Sequence, residues 1–329
     1  MSKRYPMPIP HGWYAVAYSD ELAVGESRPV RYFGKDLVLF RTESGRASLL
    51  DAYCPHLGAH LGYGIHENSG RGGGIEGESI VCPFHAWKFN GEGECTDVPY
   101  AKNMPPKVKG TKCLTSYPIT ETNQVIWAWY HPAGEAPLWA VIEHEEANSD
   151  GWAPLKRYEW QIATHPQEMA ENAADPAHFR YVHRTASMPN WETTYDGPRA
   201  SGIQRAKMPT PRGEVDGAIY TNSMGPGQGF TKFEGIADTF LMGLTTPIDD
   251  ENVVLRFAFT QPKVEGEVKE GGVNAAIVAD IVGQLEEDKP IWEHKVYRHL
   301  PVLCDGDGPI AKFRKWYGQF YSDYDSSAL

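Results

Sequence analysis

The chain has 329 residues, 41% of them hydrophobic and 22% charged, which is enough apolar area for two ordinary globular domains. Its 31 Lys and Arg stand against 43 Asp and Glu, a net charge of −12, so nonspecific nucleic-acid binding and adhesion to anionic membranes are disfavoured. Five cysteines are no disulfide framework in a chain this long, the proline-interrupted start is no secretory signal, and no apolar run reaches the ~20 residues of a membrane span; a cytoplasmic protein without a membrane anchor is expected.

Short β-branched or aromatic runs at 13–17, 30–33, 37–41, 47–50 and 125–130 are separated by turn residues such as Phe33-Gly34-Lys35-Asp36, which predicts a β domain. The Gly-rich stretch 70–78 reads as a flexible excursion. Residues 131–154, rich in Pro, Gly and acids, read as a linker and set domains at 1–135 and 136–329. Helical signals follow at 166–174 and 177–183, then strand-like runs near 218–222, 230–233, 239–244 and 253–259. A closing helix carries Ile277, Ile281, Leu285 and Trp292. The fold class is α+β: a small β domain, then an antiparallel sheet with a C-terminal helix.

Two turns each pair a thiol with an imidazole: Cys54-Pro55-His56 and Cys82-Pro83-Phe84-His85. Two Cys and two His can hold structural zinc or a Rieske [2Fe–2S] cluster, in which Cys₂ binds one iron and His₂ the other. Zinc fingers favour Cys-Cys and His-His pairings with a helix bearing the histidines. Interleaved pairs between strands suit the two-iron cluster, because each loop then supplies both irons. Cys95, Cys113 and Cys304 have no such partners and read as plain thiols.

The runs Asp51-Ala52-Tyr53-Cys54-Pro55-His56-Leu57-Gly58 and Cys82-Pro83-Phe84-His85-Ala86-Trp87 resemble the cluster loops of Rieske oxygenases. The 25 residues between His56 and Cys82 exceed the usual spacing, and the excess is the Gly-rich stretch. High-potential Rieske proteins tie their two loops with a disulfide; Ala59 and Phe84 stand where those cysteines would fall, which implies a low-potential cluster.

Further on, Glu171-Asn172-Ala173-Ala174-Asp175-Pro176-Ala177-His178 continues to His183. Two His and one carboxylate form the facial triad of non-haem Fe(II) oxygenases, and D-x-x-H-x-x-x-x-H resembles the mononuclear iron motif of the same family. Residues five apart on an ideal helix lie ~140° apart, so one metal needs a π-bulge or a helix end between His178 and His183. Asp175-Pro176 reads as an N-cap and first helical residue. The resemblance implies a third ligand on the C-terminal helix, at Asp288 with Glu287 as the alternative. It also implies Asn172 near the iron and Asp175 as an electron bridge across a head-to-tail homotrimer.

Much of the remaining chain is similar to the cholesterol 7-desaturase (Neverland-type) and 3-ketosteroid 9α-hydroxylase branch, as in Cys95-Thr96-Asp97-Val98-Pro99-Tyr100 and Asp288-Lys289-Pro290-Ile291-Trp292. The resemblance implies a helix-grip catalytic domain, one cluster and one mononuclear Fe(II) per chain, O₂ as cosubstrate, and NAD(P)H electrons arriving through a ferredoxin or flavin reductase. The expected activity is hydroxylation or desaturation of an apolar polycyclic substrate, such as a steroid. A small aromatic substrate, or a Rieske electron carrier without oxygenase activity, are the alternatives. Met188, Trp191, Met224, Phe230, Phe233, Phe240, Met242, Phe257 and Phe259 are the candidates for core and pocket.

Overall fold

The computed structural model describes residues 3–64, 73–185, 188, 192–210, 213–235, 237–269 and 271–322. The chain forms two compact units, Ala15–Leu138 and Met1–Tyr14 with Trp139–Leu329. The break falls at Leu138/Trp139, three residues beyond the expected boundary, and the first fourteen residues join the second unit. The reason is packing: Tyr5 and Met7 are buried in a cluster with Tyr297, Ile310, Phe313, Tyr317 and Phe320.

The smaller unit is all β. One four-stranded antiparallel sheet contains Ser27–Tyr32, Lys35–Arg41, Ala47–Asp51 and Ser116–Tyr117; another contains Ile75–Glu76, Ser79–Val81, Lys88–Asn90 and Cys95–Asp97. The expected run 30–33 stops at Tyr32, because Phe33 takes φ 57° in the turn. The excursion reading fails for 73–78. Ile75 and Ile80, 5% and 0% exposed, face each other across a hairpin, so burial of two β-branched side chains outweighs the flexibility of the glycines. Residues 70–72 lie outside the described residues.

The larger unit is a seven-stranded antiparallel sheet. Its order is Lys156–Ile162, Val253–Thr260, Thr239–Pro247, Gly229–Glu234, Gly213–Met224, Arg199–Thr210, Glu192–Asp196. Short helices are α1 (Glu145–Asn148), α2 (Pro166–Glu171) and α3 (Pro176–Tyr181), followed by the long α4 (Val273–His294) and α5 (Ile310–Tyr317). The buried residues of α4 are Val278, Leu285, Asp288 and Trp292, a single stripe at helical spacing. Leu285 and Trp292 pack on Ile162, Val253 and Leu255 of the sheet, and Val278 on Leu241 and Phe259. The expected α+β class and the closing helix are both found. Among the described residues, no helix is long and apolar enough to cross a membrane.

Candidate cluster and iron sites

The two Cys-His turns are built alike. Cys54 N–H donates to Ala59 O at 2.9 Å and Gly58 N–H to Cys54 O at 2.9 Å; Cys82 N–H donates to Trp87 O at 2.7 Å and Ala86 N–H to Cys82 O at 3.0 Å. In each turn the fifth residue is left-handed, Gly58 at φ 76° and Ala86 at φ 55°. Glycine adopts that conformation freely, whereas Ala86 is strained and is held there by the closure of its loop. Both thiols are buried, and both imidazoles are half-buried. The Cys82 thiol is pulled down to about 6 by the hydrogen bond from Cys54, helped by the N–H groups of Phe84 and His85. That same contact pushes Cys54 up. A thiolate is the metal-ligating form, and the pair already favours one.

The His56 and His85 rings lie 4.8 Å apart, and His56 stacks on Trp87 at 4.6 Å and 6°. His85 Nδ1 is buried without a hydrogen-bond partner among the described residues. An orphaned ring nitrogen beside a second imidazole and two thiols is what a cluster would satisfy, so the donor set fits.

In the other unit, His178, His183 and Asp288 bring ligand atoms within 4.8 Å of one another. The alternative left open by spacing is resolved as a helix end. α3 stops at Tyr181, His178 O accepts from Val182 N–H at 2.7 Å and from His183 N–H at 3.4 Å, and Arg184 turns away at φ 57°. The Asp175 carboxylate caps α3, accepting from Ala177 N–H at 3.0 Å and His178 N–H at 3.3 Å. Its main-chain oxygen takes His178 Nδ1.

Asp288 and Glu287 occupy different sides of His183. Glu287 Oε2 meets Nδ1 at 3.0 Å, while Asp288 Oδ2 is 3.4 Å from Nε2. Both histidines therefore have Nδ1 engaged by oxygen and Nε2 left for a ligand role, and Asp288 joins them. Asn172 Nδ2 donates to Asp288 Oδ2 at 3.2 Å, and Trp292 Nε1 donates to Asn172 Oδ1 at 3.4 Å. Burial pushes the Asp288 carboxyl up to about 6, partly opposed by His183 and Asn172. Burial lowers His178, and the hydrogen bond to His183, followed by that to Arg184, lowers Glu287. A buried carboxylate between two imidazoles is costly alone and suits a divalent cation, so this donor set fits an iron. Behind it, Glu171 holds Arg314 of α5 through bonds of 2.6 and 2.9 Å, which anchors α2 and with it Asn172.

A cavity of about 280 Å³ reaches from Asn172 between the sheet and the helices, lined in part by Met169, Phe230, Leu255, Phe257, Leu285, Trp292, Phe313 and Trp316. Of the aromatic and Met candidates, Phe230 and Phe257 line it. Phe240, Met242 and Phe259 are buried core, Phe233 packs against a core cluster, Met224 is not in the lining, and Met188 is exposed. Trp191 lies outside the described residues. Sequence reading missed Trp316, Phe313 and Gln228 in the lining; periodicity cannot show which core residues border a void.

Residues 12–118 match the Rieske [2Fe-2S] domain family, and 128–321 match the 3-ketosteroid 9alpha-hydroxylase C-terminal domain family. A 3-ketosteroid-9-alpha-monooxygenase oxygenase component of Rhodococcus rhodochrous is 31% identical over 97% of this chain and 86% of its own length. A cholesterol 7-desaturase of Xenopus laevis is 30% identical over 98% and 74%. The structure of dicamba monooxygenase bound to dicamba shares the fold at 17% identity, covering 94% of this chain and 96% of that one with a TM-score of 0.71. With cluster and iron donor sets both in place, the chain belongs to the Rieske non-haem iron oxygenases with a catalytic domain of the 3-ketosteroid 9α-hydroxylase type, an oxidoreductase component that takes a [2Fe–2S] cluster, a mononuclear iron and electrons from a separate reductase.

Proposed function

We propose that this chain is the terminal oxygenase of a multicomponent system that hydroxylates or desaturates a C–H site of a steroid. The observation that carries the reading is the largely apolar cavity running up to Asn172 and thus to Asp288. Cys54, His56, Cys82 and His85 would hold the cluster, and His178, His183 and Asp288 the iron. When bound, these groups supply single electrons and O₂ activation. The protein's part is positional. Glu287 fixes the His183 tautomer, Asn172 orients Asp288, and the aromatic lining keeps water from the reacting bond.

The family resemblance supports a head-to-tail homotrimer in which Asp175 bridges His178 to a cluster histidine of the next subunit. The Asp175 main-chain oxygen contacts His178, and its carboxylate, which caps α3, would supply the link to the next subunit. The cavity's volume, near the lower end for small-molecule sites, keeps a small aromatic substrate as the second reading. Oxygen uptake with a generic reductase and reduced nicotinamide separates the two. Steroid-dependent uptake coupled to an oxidised steroid is expected, with three irons per chain; uptake coupled only to aromatic acids would favour the second reading. Two irons and no uptake would leave an electron carrier.

A further inference from the structure

The floor of the cavity is a row across the middle of the seven-stranded sheet. Ala200 pairs with Ser223, Ser223 with Gly229 and Gly229 with Gly243, and all of them line the cavity. Residues directly opposite each other on antiparallel strands present their side-chain positions to the same face. Three strand spacings make the row about 14 Å long. Tyr195, opposite Ala200, and Phe257, opposite Gly243, close its two ends. Trp292 of α4 and Phe313 and Trp316 of α5 supply the helical side of the lining. The space is a slot with a nearly bare backbone on one side and aromatic rings on the other.

Two of the glycines in the lining are required by the fold. A Cβ on Gly225, at φ 71°, would come within 2.6 Å of the Trp139 ring, and one on Gly229 within 2.9 Å of the Gly243 carbonyl oxygen. Gly243 is different. It has no left-handed φ, and a Cβ there would meet nothing closer than Phe257 Cε1 at 3.6 Å and Gly229 O at 3.9 Å, which are ordinary contact distances. Glycine inside a strand is entropically costly and leaves nothing to pack. Leu241, two residues earlier on the same face, is buried against Val278 of α4. At Gly243 neither the backbone nor its neighbours demand a missing side chain, and the space a side chain would enter is the cavity.

We propose that Gly243 is a specificity-determining residue: its missing side chain sets the depth of the slot, which admits a flat, all-trans fused-ring skeleton face down on the sheet and excludes a bent, cis-fused one. A rigid skeleton cannot deform around one added methyl group, so the discrimination is by shape. The inference rests on the steroid reading above for its ring system and concerns the ring fusion, which that reading leaves open.

The test uses 5α- and 5β-androstane-3,17-dione, which share composition and ketones and differ in being flat and bent. Their binding to the anaerobic holoprotein is followed by tryptophan fluorescence. The wild type is expected to bind the flat isomer at least about 10-fold tighter. Gly243→Ala should weaken the flat isomer by about 10-fold and Gly243→Val by more, while the thermal midpoint of Gly243→Ala stays the same or rises. A lower midpoint for Gly243→Ala would give the glycine a packing role and overturn the proposal. The pair of isomers on the wild type decides even where Gly243→Val folds poorly. Equal binding of the two isomers by the wild type, or wild-type affinity of Gly243→Ala for the flat one, would overturn the role of Gly243 and leave the steroid reading standing. If the wild type binds neither isomer, the steroid reading itself falls and takes this inference with it.

Discussion

Cys54, His56, Cys82 and His85 stand on two loops closed by the same pair of main-chain hydrogen bonds, whereas His178, His183 and Asp288 come from helix α3, the turn just past it, and helix α4 more than a hundred residues later. The first site is made by local backbone geometry, and its ligands sit next to one another in sequence. The second is made by side chains that only packing brings together: Asp288 arrives because α4 lays Leu285 and Trp292 on the sheet. The difference teaches where each site is fragile. Changing a proposed cluster ligand would remove the reason for a strained loop, while changing a proposed iron ligand would leave the packed scaffold intact.

The largest effect should therefore come from Cys82→Ser. It is expected to abolish the red-brown colour and the rhombic EPR signal of the reduced cluster and to destabilise the smaller unit, because binding a metal centre contributes to folding. A stable variant with an unaltered EPR signal would show that the loops do not depend on Cys82. Asp288→Ala should keep colour and signal, lower iron from three to two per chain and reduce turnover to background. Metal analysis beside the absorption spectrum checks it. If Glu287→Ala instead loses the third iron while Asp288→Ala retains it, the ligand is the neighbouring residue.

Asp175→Asn sharpens the comparison, because one residue has a local and a long-range reading. Asn caps a helix about as well as Asp, so stability should hardly change. Single-turnover reoxidation of the pre-reduced cluster should slow by ~10–100-fold if the carboxylate links the two centres. Wild-type reoxidation would leave Asp175 as a cap alone.

The smallest effect is a pH dependence confined to the iron-bearing unit. His165 caps α2 through Nδ1, which accepts Gln167 N–H at 3.2 Å, and burial lowers it from 6.5 to about 4. Folding favours its neutral form, so its contribution is complete above pH 6.5 and is lost as pH falls towards about 4. At most ~3 kcal/mol is involved. Thermal midpoints of wild type and His165→Asn between pH 7 and 4 should converge as the pH falls; parallel curves would remove His165 as the cause.

The candidate donor types and their order were legible in the sequence because neighbouring Cys and His in one turn, and D-x-x-H-x-x-x-x-H around a Pro, are local signals. So was the helix end at His183, one of the two ways that spacing allowed. Ile277, Ile281, Leu285 and Trp292 marked the closing helix in the sequence, but the buried stripe Val278, Leu285, Asp288 and Trp292, which sets Asp288 rather than Glu287 inward, exists only once that helix lies on the sheet. Strands such as Lys156–Ile162 and Glu192–Asp196 gave weak alternation and went unread, since they are half-exposed edges of a sheet whose pairing supplies their order.

What the sequence by itself determined is the chemistry: which atoms can bind metal, which turns present them, and that an antiparallel sheet with a closing helix follows a β domain. What only the tertiary structure decided is relation. It separates Asp288 from Glu287 by the two nitrogens of one imidazole, turns part of a Gly-rich stretch into a hairpin, and assigns Met1–Tyr14 to the second unit. The physical reason is range. Backbone turns and helix caps depend on residues a few positions apart, whereas burial, hydrogen-bond satisfaction and the shape of a void depend on contacts whose sequence separation the chain does not announce.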